Sequence, residues 1–129
     1  MKRVDIKVLL VDDEVAFIRT LAQRLIMRDL RVIIAYDGEQ ALSKIKKEEP
    51  DVIVLDLNMP GMHGMDVLRE IKKVCPDTQV IILTGHGTDK EEEEATKLGG
   101  FGFLKKPTDI ETLEDKIKAA FKEKTARTM

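Results

Sequence analysis

Short, continuous runs of apolar residues alternate along this chain with longer segments in which apolar residues recur every three or four positions. The short runs are rich in Val, Ile and Leu, which is typical of strands that are buried on both faces of a parallel sheet. The longer segments have the spacing of amphipathic helices. The predicted strands cover residues 6–11, 31–35, 52–55, 80–83 and 101–104.

Local signals predict where several of the helices begin. Asp37 precedes an amphipathic segment as an N-cap residue, because its side chain can accept a hydrogen bond from a free backbone amide of the first turn. Thr88 and Glu91 have the spacing of a capping box, and Thr108 with Glu111 form a second one. Prolines 50 and 76 close the helices that precede them.

Two segments offer little apolar surface. The helix that contains Glu91–Glu94 presents only Ala95 and Leu98 to the core, so it is expected to be the most weakly anchored helix. Residues 123–129 have no apolar period. We therefore expect a domain over residues 1–124, followed at 125–129 by a frayed tail or the start of a linker.

Strand and helix alternate five times without a long linker or a low-complexity segment. This alternation favours a parallel sheet with helices on both faces, since each parallel crossover carries a helix back over the sheet. The predicted fold is a single, doubly wound α/β domain.

Composition narrows the class of protein. A chain of 129 residues, 43% hydrophobic and 36% charged, suits one soluble domain. Its net charge of −2 gives no electrostatic reason for direct binding to nucleic acid, and no apolar run is long enough to cross a membrane. The single cysteine, Cys75, fits a reducing compartment. We expect a cytoplasmic protein.

Polar residues with chemical potential follow the apolar strands at their carboxyl ends. In a parallel sheet these ends meet at one edge, so the side chains should converge there. Clustered carboxylates repel one another unless a cation is bound, and oxygen ligands with room for water favour Mg²⁺. A lysine and a hydroxyl beside them complete the groups that stabilise a phosphoryl group in transfer. The residues concerned are Asp12, Asp13, Asp56, Thr84 and Lys106.

Four motifs in this order and spacing resemble the receiver domains of two-component response regulators, in the CheY-like superfamily. They are the Val-Asp-Asp-Glu run at 11–14, Asp-Leu-Asn-Met-Pro-Gly at 56–61, Thr-Gly at 84–85 and Lys-Pro at 106–107. The resemblance covers roughly residues 5–122. It implies a flavodoxin-like (βα)5 fold whose parallel five-stranded sheet has the order 2-1-3-4-5.

The resemblance also implies a role for each site residue. Asp56 would accept a phosphoryl group from a sensor histidine kinase or a phosphotransfer protein. Asp13, Asp56 and the Asn58 backbone carbonyl would bind Mg²⁺ directly, and Asp12 would act through water. Thr84 and Lys106 would bind phosphoryl oxygens, and Thr84 with Phe103 would form a switch pair.

A protein of this kind catalyses only its own phosphotransfer and autodephosphorylation, and otherwise acts by changing its binding surface. The resemblance implies a downstream protein partner, or an output domain outside this chain, and allows a phosphorylation-dependent homodimer. The Thr-Gly-His-Gly run at 84–87 resembles that of receivers in enhancer-binding transcription activators.

Other interpretations compete with this one. A hydrolase of the haloacid dehalogenase type also forms an aspartyl phosphate, but it carries a second acid where this chain has Asn58. A flavodoxin-like electron carrier needs a Ser/Thr-rich phosphate loop, whereas three acids stand at 12–14. Those acids could also be a helix first turn, where negative charge is favourable, and Phe103 could be an ordinary core residue.

Overall fold

Five strands and five helices alternate along residues 5–128, the part of the chain that the computed structural model describes. The strands are β1 (Lys7–Val11), β2 (Arg31–Ala35), β3 (Val52–Leu55), β4 (Gln79–Thr84) and β5 (Gly102–Lys105). The helices are α1 (Val15–Ile26), α2 (Gly38–Glu48), α3 (Gly64–Val74), α4 (Asp89–Lys97) and α5 (Ile110–Thr128). The predicted alternation is confirmed, and the strand ends differ from the prediction by at most one residue.

The strands form one parallel sheet in the order β2-β1-β3-β4-β5, as the family resemblance implied. From β1 the chain moves outward to β2, and it then returns across β1 to place β3 on the other side. The switch in direction between β1 and β3 opens a crevice at the carboxyl ends of these strands, where open α/β sheets bind their ligands.

The two faces of the sheet bury separate cores, because successive side chains of a strand point to opposite faces. Alternate residues such as Leu9, Ile53 and Ile82 pack under α2, α3 and the inner face of α4. Their neighbours, such as Leu10, Val54 and Ile81, pack under α1 and α5. Both faces of the central strands are therefore buried, which explains their continuous apolar runs.

The predicted helix starts are confirmed with one correction. Asp37 accepts a hydrogen bond from the Gln40 amide at the start of α2, and Thr88 with Glu91 forms the predicted capping box of α4. At α5, however, the side chain of Asp109 accepts the bond from the Thr112 amide, at 2.7 Å. The cap is therefore one residue later than the Thr108 that the sequence pattern indicated.

The predicted fraying of the chain end is wrong for residues 125–128, which continue α5 to Thr128. This last part of the helix has no apolar stripe, and polar contacts stabilise it instead. The Thr125 hydroxyl donates to the Phe121 carbonyl, and Arg127 forms an ion pair with Glu123 one turn earlier, at 3.4 Å. The remaining residue, Met129, lies outside the described residues, and whether a linker begins here stays a prediction.

The amino ends of the strands are tied together by Asp51. One oxygen of its carboxylate accepts a bond from the Lys7 amide of β1 at 2.9 Å, and the other pairs with Lys124 of α5 at 2.6 Å. We call these residues, Asp51, Lys7 and Lys124, the amino-end clamp.

Within residues 5–128, no helix has both the length and the apolar character that a bilayer crossing requires.

Candidate functional site

The last backbone hydrogen bonds of the sheet position the candidate site residues. The Asp12 amide donates to the Ala35 carbonyl of β2, and the Asp56 amide donates to the Val11 carbonyl of β1. Across the sheet, the Lys106 amide donates to the carbonyl of Thr84 at 2.9 Å. Each side chain therefore leaves the sheet where its strand ends, and the predicted convergence at the carboxyl edge is confirmed.

Three carboxylates meet at this edge. Oxygen atoms of Asp12, Asp13 and Asp56 lie within 4.8 Å of one another. Asp12 and Asp56 are each only 4% exposed, and Asp13 is half-buried. A hard divalent cation fits this donor set, because it binds carboxylate oxygens and leaves other positions for water.

Lys106 stands over the carboxylates as a fixed positive charge. Its ammonium nitrogen lies 2.7 Å from Asp12 Oδ2, 2.9 Å from Glu14 Oε1 and 3.8 Å from Asp56 Oδ2. The neighbouring Lys105 is exposed at the end of β5. The peptide bond between Lys106 and Pro107 is cis.

Burial and pairing shift the pKa values of this pair. Burial raises the pKa of Asp12, and the hydrogen bonds from Lys106 and from the Glu14 amide only partly offset that rise. Repulsion by Asp56 adds to the rise as a smaller cause, so desolvation and not charge crowding dominates. Burial lowers the pKa of Lys106, but its bonds to Asp12 and Glu14 outweigh this and leave it raised.

Thr84 and Asn58 face each other across the site. Thr84 is completely buried at the end of β4, and its hydroxyl oxygen accepts a hydrogen bond from Asn58 Nδ2 at 3.1 Å. The backbone N–H of Asn58 donates to Asp56 Oδ1 at 3.3 Å. No local pattern indicated the bond between the Asn58 side chain and Thr84, and the role of the Asn58 carbonyl as a metal ligand stays a prediction.

Phe103 lies on β5 beside β4, in register with Ile82. Its half-buried ring packs on the core that α2 and α3 cover. A Cβ atom added to Gly87 would lie 2.4 Å from the edge of this ring and 2.9 Å from the Thr84 methyl group. Because Gly87 has no side chain, the Phe103 ring can occupy this space. This role of the Thr-Gly-His-Gly run was not predicted from the sequence.

The loop after β3 is held in place at Gly64, the first residue of α3. The Gly64 amide donates to the Leu57 carbonyl at 3.0 Å, which folds the loop back toward its start. A Cβ atom at Gly64 would lie 2.5 Å from Leu57 Cα and 2.8 Å from the Asp56 carbonyl oxygen. The absence of a side chain at this position allows the helix to approach the backbone of Asp56 directly.

Comparison with known proteins agrees with this geometry. The family model described as response regulator receiver domain matches residues 8–118. The transcriptional regulatory protein GlrR of Escherichia coli K12 is 38% identical over 120 residues, which are 93% of this chain and 27% of that protein. Sporulation initiation phosphotransferase F of Bacillus subtilis 168 is 34% identical over 113 residues, 87% of this chain and 90% of that one.

Comparison with solved structures finds the same family. A CheY-like response regulator receiver domain protein from Methanospirillum hungatei JF-1 superposes with a TM-score of 0.91 at 26% identity, covering 96% of this chain and 99% of that one. The chain thus spans about a quarter of the length of the E. coli regulator but nearly all of the Bacillus phosphotransferase.

Proposed function

This chain belongs to the response regulator receiver domain family, and from that membership we propose that it is a signalling switch which accepts a phosphoryl group on Asp56. The observation that carries the proposal is the position of Asp56. Its carboxylate is buried at the end of the central strand, next to the carboxylates of Asp12 and Asp13 and within 3.8 Å of the Lys106 ammonium.

In the proposed reaction a carboxylate oxygen of Asp56 attacks the phosphorus of a phosphohistidine on a sensor histidine kinase or a phosphotransfer protein. The P–N bond breaks as the P–O bond forms, and the released imidazole takes up a proton. Lys106 and the Thr84 hydroxyl bind phosphoryl oxygens and stabilise the charge that develops on them. Mg²⁺ would be held by Asp13, Asp56 and the Asn58 carbonyl, with Asp12 acting through water, and would neutralise charge on the phosphoryl group.

The hydrolase alternative is not favoured. The family match is to receiver domains, and Asn58 occupies the position where a haloacid dehalogenase carries its second acid. We infer that the domain catalyses only its own phosphorylation and dephosphorylation and acts as a switch in the cytoplasm. Its output would be a changed contact with a downstream protein, with an attached output domain or with a second copy of the chain.

The direct test is chemical phosphorylation of the purified chain. Incubation with acetyl phosphate and Mg²⁺ should add one phosphoryl group by intact-mass measurement, and the same incubation with excess EDTA should add none. EDTA-resistant labelling would contradict the metal-dependent mechanism, and no labelling in the presence of Mg²⁺ would contradict the proposed function.

We expect Mg²⁺ to raise the melting temperature of the unphosphorylated domain at pH 7. The raised pKa of Asp12 means that the folded state holds this proton more tightly than the unfolded chain does. Ionisation of Asp12 therefore lowers the free energy of unfolding as the pH rises from its unfolded-state pKa through its higher folded-state pKa. Above the folded-state pKa the full cost is present. A bound cation offsets this cost, and binding at a hundredfold excess over Kd would stabilise the fold by about 2.7 kcal/mol.

Thermal melts with EDTA and with 10 mM MgCl2 measure this effect. The Asp13→Asn variant should lose most of the difference, because a neutral amide oxygen replaces one proposed carboxylate ligand and binds Mg²⁺ more weakly. Wild-type melts that coincide in the two buffers would count against a metal site at these carboxylates.

We expect Thr84→Ala to reduce the spectral changes that beryllofluoride, a phosphoryl mimic, causes in residues 84–106. In the unphosphorylated site the Thr84 hydroxyl oxygen accepts a hydrogen bond from Asn58 Nδ2. A phosphoryl group on Asp56 would offer this hydroxyl a charged acceptor to which it can donate. When Thr84 moves toward the phosphoryl group, the Phe103 ring can turn into the space that Thr84 vacates. Helix α4 can then shift together with the ring. Amide spectra with and without beryllofluoride report these changes.

Gly87→Ala tests the same movement from the other side. The new methyl group would overlap the Phe103 ring, so the ring should leave its present position even without beryllofluoride. Gly85→Ala is the matched control, because a Cβ atom there meets no atom within 4 Å. Aromatic proton shifts of Phe103 that are equal in the two variants would show that Gly87 does not control the ring.

A further inference from the structure

Glu14 stands at the start of α1, where its backbone carbonyl accepts a hydrogen bond from the Ile18 amide but its side chain does not cap the helix. It occupies the N-cap position with φ −79° and ψ 90°, yet its side chain accepts no capping hydrogen bond. Glutamate is not among the residues preferred there, because its longer chain fits the first-turn amides poorly. The carboxylate instead reaches across to the residue that follows β5, and Glu14 Oε1 lies 2.9 Å from the Lys106 ammonium.

Lys106 is oriented by three groups on the β1–α1 segment. Asp12 and Glu14 accept two of its hydrogen bonds, at 2.7 Å and 2.9 Å. The Phe17 ring lies beneath the ammonium, with its centroid 4.4 Å away, in cation–π contact. Asp56 Oδ2, at 3.8 Å, is beyond hydrogen-bond distance. The ammonium is thus directed toward α1 and away from the proposed phosphoacceptor.

We propose that Glu14 is a positioning residue that, together with Phe17, holds Lys106 in a resting orientation, from which a phosphoryl group on Asp56 must displace it. The proposal rests on the proposed function, because it concerns how Lys106 becomes available to that group. Glu14 is the releasable partner. Its side chain is 61% exposed and regains water on release, whereas the Asp12 side chain is 5% exposed and lies inside the carboxylate cluster.

Removing the Glu14 contact should make the phosphoryl-bound state easier to reach. Because the Glu14 carboxylate is exposed, this ion pair falls near the range of surface pairs, at most about 1 kcal/mol. We therefore expect beryllofluoride to bind about twofold to fivefold more tightly when the contact is lost. The Lys106 side-chain protons give an independent signature. They lie in the shielding region of the Phe17 ring, and they should move downfield when beryllofluoride draws the ammonium toward Asp56.

The experiment compares the beryllofluoride titration midpoints of wild type, Glu14→Gln and Glu14→Asp by amide spectra at saturating Mg²⁺. Glu14→Gln removes the charge and keeps the length. Glu14→Asp keeps the charge but shortens the side chain, and aspartate is a preferred N-cap whose carboxylate serves the helix amides. Both variants should show lower midpoints than wild type, and in both the Lys106 side-chain protons should have shifted downfield before any beryllofluoride is added.

Other results would overturn the inference. Midpoints unchanged or raised in both variants would show that Glu14 does not restrain Lys106. A lower midpoint in Glu14→Gln alone would show a general charge effect on an anionic ligand and not a positioning contact. A wild type that binds no beryllofluoride would defeat the proposed function itself, whereas wild-type binding with unaltered variants would defeat only the role of Glu14.

Discussion

Replacing Asp56 by asparagine is expected to abolish phosphoryl labelling completely while the domain stays folded. The neutral amide oxygen of asparagine is not a nucleophile toward phosphorus, and the loss of charge also weakens one proposed metal ligand. The side chain keeps its shape, and its oxygen can still accept the hydrogen bond that the Asn58 amide donates at 3.3 Å. Reducing three adjacent carboxylates to two should leave the free energy of unfolding unchanged or higher.

Intact-mass measurement after incubation with acetyl phosphate and Mg²⁺ checks this prediction, and a urea titration checks the fold. Asp66→Asn is the matched control, because this carboxylate is exposed on α3 and pairs with Arg69 at 2.7 Å, away from the cluster. The control should be labelled like wild type. Equal mass additions in Asp56→Asn and wild type would show that the phosphoryl group goes elsewhere.

Gly64→Ala should be the most destabilising of the proposed substitutions, although it adds only one methyl group. That carbon would lie 2.5 Å from Leu57 Cα and 2.8 Å from the Asp56 carbonyl oxygen, so backbone and not a flexible side chain must move. Overpacking of this kind costs typically 1–3 kcal/mol, and we expect about 3 kcal/mol here because the clash is with backbone. The gain in helix propensity from glycine to alanine, about 1 kcal/mol at most, does not offset it.

For a domain of this size, 3 kcal/mol corresponds to a fall of roughly 10 °C in the melting temperature. Denaturant and thermal unfolding measure the change, and Gly85→Ala serves as a control at the same edge of the sheet because its Cβ meets open space. A Gly64→Ala protein as stable as the control would show that α3 can retreat from Leu57 at little cost. Asp56→Asn is expected to change phosphoryl labelling, and Gly64→Ala is expected to change stability. The two variants therefore test the chemistry and the packing of the β3–α3 loop separately.

The strands and the convergence of the site could be predicted from local patterns. Continuous apolar runs mark strands that are buried on both faces, and parallel strands carry their carboxyl ends to one edge. For that reason Asp12, Asp56 and Lys106 are brought together although 94 residues separate the first from the last. The strand order did not follow from the alternation of elements, and it was predicted through the family resemblance.

The contacts that the sequence did not reveal depend on side-chain orientation across distant elements. Nothing local indicates that Glu14 binds Lys106 and not its own helix, or that the Asn58 side chain donates to Thr84. The helical end of α5 was missed for a related reason. Its polar residues carry no apolar period, and the ion pair of Lys124 with Asp51 spans 73 residues.

The contrast between the amino-end clamp and α4 has a consequence for local opening. Within α4, all of which the structure describes, Ala95 is the one buried side chain, whereas Asp51 joins β1 and α5 at the opposite end. Free energies of opening vary across a fold with the apolar surface that each unit buries. Amides of α4 should therefore exchange with solvent through a low-energy, subglobal opening, and those of β1 and β3 through global unfolding. If Asp56 is phosphorylated as proposed, we expect α4 to rearrange while the rest of the domain stays folded.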